Sequence, residues 1–103
     1  MKHFLLFYET SPDYLEKRPL YRKAHLEKVW ASHDRGELVL GGALTEPTDT
    51  AVLFFRADDK AAVEDFARTD PYVTNGLIKS WRVREWMTVA GADSVNPVRP
   101  EKL

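Results

Sequence analysis

Hydrophobic and polar positions change period several times along this chain, and each change marks an element. Residues 3–9 are apolar on both alternating faces, with Phe4, Leu6 and Tyr8 on one side and Leu5 and Phe7 on the other. That pattern predicts a central strand covered on both faces. The polar stretch 10–18 holds Ser11-Pro12-Asp13, a turn signal, and predicts a loop in which Tyr14 and Leu15 fold over what lies beneath. Pro19 suits the first turn of a helix over 19–35, which Gly36 stops. At 100° per residue, Tyr21, His25, Leu26, Val29, Trp30 and His33 share one half of that helix. Lys23, Glu27, Lys28, Asp34 and Arg35 fall mostly on the other.

A second strand is predicted over 38–44, through Gly41-Gly42, followed by a turn at 45–49. The third, over 51–55, is again apolar on both faces. Asp58 or Asp59 caps a second helix over 59–68, whose apolar face is Ala62, Val63, Phe66 and Ala67. Pro71 forbids its regular continuation, so residues 72–76 form an irregular turn ending at Gly76. The last strand is 78–87, with Trp81, Val83, Trp86 and Met87. The order is βαββαβ. Short connections and right-handed crossovers then give an α+β, ferredoxin-like domain over 1–88: a four-stranded antiparallel sheet with both helices on one face. Residues 89–103, with Gly91, Asn96-Pro97 and Arg99-Pro100, read as an extended C-terminal arm.

This arrangement has an energetic consequence. Two helices cover one sheet face, yet the first and third strands are apolar on both. The uncovered face would expose several hundred square ångströms of apolar surface, roughly the scale of an interaction site. A second copy of the same face covers it, so the chain is expected to form a homodimer through its sheet faces.

Composition narrows the function classes. The 103 residues suffice for one domain with a modest core. With 15 basic and 16 acidic residues and no basic stripe, neither nucleic acid nor a membrane surface is an expected partner. The five-residue apolar run after His3 is too short for a signal peptide, and no segment approaches a transmembrane span. The absence of cysteine excludes disulfides, thiolate metal sites and Cys nucleophiles, and fits a cytoplasmic location. His3, expected to be exposed at a strand start, and His33, expected near the helix cap at Gly36, make no close metal-ligand pair with His25, so no metal site is expected. The four serines are scattered, and none sits in an elbow-like setting.

The candidate chemistry is a pair. His25 lies on the inward helix face, with Arg22 and Tyr21 one turn before it. Alone it reads as a core histidine satisfied by a carbonyl, but a polar cluster on an apolar face needs partners or a pocket. Asp70, in Asp70-Pro71-Tyr72, reads alone as turn chemistry. In a βαββαβ fold the helices lie side by side, so the end of the second approaches the first. An aspartate meeting His25 would hold one tautomer and make a general acid–base device. Tyr8, Tyr21 and Tyr72 are candidates to line the pocket, and Gly41-Gly42 either brings backbone close to a ligand or partner or marks a bulge.

The chain resembles the YciI-like (YCII-related domain) family over 1–87. The resemblance rests on Arg22-Lys23-Ala24-His25-Leu26, on Gly36 and the 38–44 strand with Gly41-Gly42, and on Asp70-Pro71-Tyr72 with Gly76-Leu77. The family pattern has Gly-Pro where this chain has Gly42-Ala43. The resemblance implies a dimeric α+β barrel and a His–Asp pair in a pocket, mapped onto His25 and Asp70, with Arg22 at a basic position. Dehydrochlorination of a chlorinated hydroxyquinol is one activity associated with such proteins. Two functions are therefore expected in competition. The first is a cofactor-independent lyase or isomerase acting by proton transfer, with His25 and Asp70 catalytic and Arg22, Tyr8, Tyr21, Gly42 and Tyr72 binding substrate. The second is a non-catalytic module that binds a small ligand or serves in a stress response.

Overall fold

Alternation in the first strand is visible in three dimensions. The computed structural model describes residues 1–103, the Lys102 side chain excepted. Its elements are β1 (Lys2–Thr10), α1 (Tyr14–Asp34), β2 (Leu38–Ala43), β3 (Thr50–Ala57), α2 (Lys60–Thr69), α3 (Pro71–Thr74) and β4 (Ile78–Glu85), then a 3-10 turn at Pro100–Lys102. The strands form one antiparallel sheet in the order β2-β3-β1-β4, the ferredoxin-like arrangement. Phe4, Leu6 and Tyr8 of β1, Leu53 and Phe55 of β3 and Val83 of β4 are buried against Val63, Phe66 and Ala67 of α2 and against Tyr14 and Tyr72. Leu6 opposes Leu53 on one side and Val83 on the other, so the core centres on β1.

The second face is apolar and open, as its sequence implies. Leu5, Phe7, Val52 and Phe54 are only half-buried there, and Leu40 is 71% exposed. Leu5, Leu40, Val52, Phe54 and Trp86 surround a shallow hollow. On the β4 side the face turns basic, with Arg82 lying over the Phe7 ring at 4.6 Å.

Three boundaries depart from expectation. The first helix starts at Tyr14, so Pro19 lies inside it and 14–18 is not a loop. Tyr14 N–H donates to the Ser11 carbonyl and Lys17 N–H to that of Asp13, which starts the helix early. Pro19 forfeits only the bond to Leu15, in the first turns where both residues are exposed and water can take the carbonyl. The Asp70-Pro71 step opens a short helix, with Asp70 as its cap and Pro71 at N1. The segment after β4, expected as an extended arm, doubles back on itself. Thr88 is buried; its hydroxyl accepts from Val95 N–H and its carbonyl from Asn96 N–H, while Gly91 turns at φ +105°. This loop covers His3, which is buried rather than exposed and shares a 2.8 Å hydrogen bond with the Thr88 hydroxyl.

Smaller expectations divide. Asp59 caps α2 through Ala62 N–H, but Ala62 itself is exposed and the apolar face is Val63, Phe66 and Ala67. His33 bridges to the Leu38 carbonyl at 2.8 Å, pinning the α1–β2 turn rather than the helix end, which Gly36 closes at φ +83°. Among the described residues no helix is long and apolar enough to cross a membrane.

Candidate functional site

Asp70 is fully buried at the joint between α2 and α3, and its carboxylate draws three donors. Tyr8 donates its hydroxyl to Oδ2 at 2.6 Å, from the C-terminal half of β1. Tyr72 donates its backbone N–H to Oδ1 at 3.0 Å, the capping bond of α3. His25 Nδ1 lies 2.8 Å from the same Oδ1. Elements 45 and 62 residues away in sequence thus converge on one carboxylate.

The His25 ring is held in plane as well as in position. It stacks on Tyr72 with centroids 3.8 Å apart and planes 5° from parallel. One turn onward, Lys28 donates to the Thr69 hydroxyl at 2.6 Å and lies over Phe66. Two adjacent residues of the α2 end, Thr69 and Asp70, therefore meet two α1 residues three apart, which share a helix face. The imidazole borders a cavity of about 160 Å³. From α1 come Tyr14, Arg18, Arg22, Leu26 and Val29; from the sheet come Tyr8, Ala51, Leu53 and the Gly41-Gly42-Ala43 edge; Tyr72 completes the wall.

The expected residues are mostly together. His25, Asp70, Tyr8, Arg22, Gly42 and Tyr72 are all at the cavity or directly behind it. Tyr21 is not among the residues around the cavity; it packs half-buried against the core. Tyr8 borders the cavity, but only 1% of it is exposed and its hydroxyl is committed to Asp70. Gly41 pairs with Leu53 and Gly42 with Val52. A Cβ on Gly41 would press on Leu53 Cγ at 3.3 Å, whereas one on Gly42 would meet open space. Gly41 thus leaves room on the cavity side, and Gly42 contributes backbone.

Arg18 and Tyr14 were not expected at the site. Tyr14, Arg18, Arg22, His25 and Val29 repeat at helical spacing, and a helix begun at Pro19 conceals the first two. The Tyr14 ring meets Tyr72 edge-on at 5.8 Å, and Arg18 lies over Tyr14. Two guanidiniums therefore flank the cavity, while the Asp70 carboxylate lies behind the His25 ring, outside its lining. Among the described residues no group of three or more His, Asp or Glu is placed to hold a metal ion.

Burial, then the Asp70 charge, push the Tyr8 hydroxyl far above its ordinary value of 10.0. Burial likewise raises Tyr72, to about 12. Unfolded, both tyrosines lose their protons near pH 10; folded, they keep them, so the unfolded chain binds fewer protons there. Stability present below pH 10 is then lost as pH rises beyond it. Urea midpoints are expected to fall between pH 10 and 11.5, and to fall less in Tyr8→Phe; an equal fall in the variant would show that Tyr8 is not the titrating group.

A sequence profile of the YCII-related domain matches residues 1–87. The protein YciI of Escherichia coli is 26% identical over 95 residues, spanning 84% of this chain and 97% of that protein. Among solved structures, 5-chloro-2-hydroxyhydroquinone dehydrochlorinase from Burkholderia phenoliruptrix, in complex with 2,5-dihydroxybenzoquinone, superposes with a TM-score of 0.71 at 21% identity, over 84% of this chain and 94% of that one. An antibiotic biosynthesis monooxygenase superposes with a TM-score of 0.51 at 18% identity, over 87% and 100%. The two structures share the fold.

Proposed function

We propose that this chain, which belongs to the YCII-related domain family, is a small-molecule lyase or isomerase in which His25 transfers a proton at a ring-sized, anionic substrate. One observation carries this reading: a buried carboxylate engages Nδ1 of a histidine whose ring borders a cavity. A neutral imidazole has one donor and one acceptor nitrogen. With Nδ1–H given to Asp70, Nε2 holds the free lone pair and is the base. Asp70 orients the ring and steadies the imidazolium that forms. Arg18 and Arg22 place positive charge where a phenolate or enolate would develop. The cavity volume matches a single ring, since a void of about 150 Å³ holds benzene.

In an elimination of this class the base removes a proton, the electrons of that bond become the new double bond, and the leaving group departs with its own pair. No redox partner enters the balance. The dehydrochlorinase of similar fold supplies a first compound to try. The purified protein is incubated with 5-chloro-2-hydroxyhydroquinone and with ring-sized phenols and enolisable acids, and chloride release and deuterium exchange are followed. Turnover or exchange that depends on His25 is expected. Binding without either, for every compound, would overturn the enzyme reading in favour of a binding module.

The open sheet face supports a homodimer as the working form. Leu40 and Trp86 are too exposed for a surface left in water, and both border the apolar hollow. Sedimentation at micromolar concentration is expected to give twice the chain mass; a monomer would remove this part of the proposal.

A further inference from the structure

Tyr8 is a buried polar group that the proton-transfer scheme leaves unused. Among the described residues its hydroxyl is the one side-chain donor to Asp70 besides His25, and it takes the oxygen that His25 does not. The two oxygens are therefore divided: Oδ2 is tied to the middle of the sheet, and Oδ1 serves α1 and the cap of α3. Tyr8 itself cannot shift. Its backbone is paired on both sides, with Ala51 and Trp81, and its side chain lies in the core. We propose that Tyr8 is a positioning residue for the His25–Asp70 pair: it fixes the carboxylate plane and, by drawing charge toward Oδ2, limits how strongly Oδ1 pulls on the Nδ1 proton of His25.

This inference rests on the reading of His25 and Asp70 as the working pair, but its physics does not require turnover. Hydrogen bonds to an ionised carboxylate share its charge. Removing the donor on Oδ2 concentrates that charge on Oδ1. The hydrogen bond that Nδ1–H donates then strengthens, and Nε2 becomes a stronger base. Burial keeps the Tyr8 hydroxyl protonated well past neutral pH, so the donor is present throughout the working range.

The test is a graded series at position 8 in the full chain. Tyr8→Phe removes the donor, and 3-fluorotyrosine at the same position strengthens it with almost no change of shape. The readout is the 15N shift of His25 Nδ1, observed through the ring C–H protons at pH 8. Tyr8→Phe is expected to move Nδ1 downfield and fluorotyrosine to move it upfield. No movement, or the same direction in both, would overturn the proposal. Should Tyr8→Phe fail to fold, the fluorotyrosine protein alone decides, since an upfield shift is still required of it. The outcome is separable from that for the enzyme reading: if turnover survives loss of His25, the reaction assignment fails while the ordered shifts of Nδ1 still stand.

Discussion

Replacing His25 with alanine is expected to lower kcat/KM by about 10²–10⁴-fold, the contribution of a well-placed general acid–base group, while the domain stays folded. The substitution leaves Asp70 with two of its three donors, Tyr8 and the Tyr72 N–H. The His25 side chain is 13% exposed, so water can reach the vacated oxygen. Its loss also unstacks one face of the buried Tyr72 ring, a contact of modest worth compared with the core burial beneath. The decisive control is chemical rescue. The space left beside Tyr72 matches an imidazole ring, and added imidazole is expected to restore part of the rate, following the concentration of its neutral form. Unchanged turnover in His25→Ala would end the assignment. A loss without rescue, accompanied by altered near-UV circular dichroism, would place His25 in the fold rather than in the chemistry.

What the chain's pattern reveals about this site follows from what periodicity encodes. The double-sided apolar strands 3–9 and 51–55 mark the central strands β1 and β3, and with them the open face. Helix order and short connections bring His25 near Asp70. The pairing of Tyr8 with Asp70 is different in kind. Alternation places Tyr8 on the helix side, but which buried atom its hydroxyl meets depends on how α3 begins, 62 residues later. Pro19 misleads because proline is commonest in a first turn; here Ser11 and Asp13 start the helix earlier, and so Tyr14 and Arg18 join the cavity. Residues 89–103 have no period to read. Their fold-back is held by the buried Thr88 and by the Val98 N–H bond to the Val89 carbonyl, tertiary events that leave no local signature.

Asp70 is expected to matter twice, for stability and for chemistry, and two substitutions separate the roles. Asp70→Ala strips three buried or half-buried donors of their acceptor at once: the Tyr8 hydroxyl, the Tyr72 N–H and His25 Nδ1. Each unsatisfied buried group costs about 1–3 kcal/mol. With three donors stranded, the alanine variant should therefore lose about 3 kcal/mol or more of unfolding free energy, a large share of the roughly 5–15 kcal/mol typical of a folded protein. Urea denaturation measures this, with the slope confirming two-state behaviour. Asp70→Asn keeps the shape and one carbonyl oxygen for Tyr72 and His25, and its amide can donate to the Tyr8 oxygen. It should cost markedly less stability than alanine. Its amide carries no charge to steady an imidazolium, however, so proton transfer by His25 should fall nearly as far as in His25→Ala. The joint result expected is a folded asparagine variant with little turnover beside a strongly destabilised alanine variant. If both variants kept their stability, water would be filling the site and the three-donor carboxylate would not be a structural pin. If asparagine kept full turnover, the negative charge behind His25 would have no part in the reaction, and the histidine would be acting without its partner.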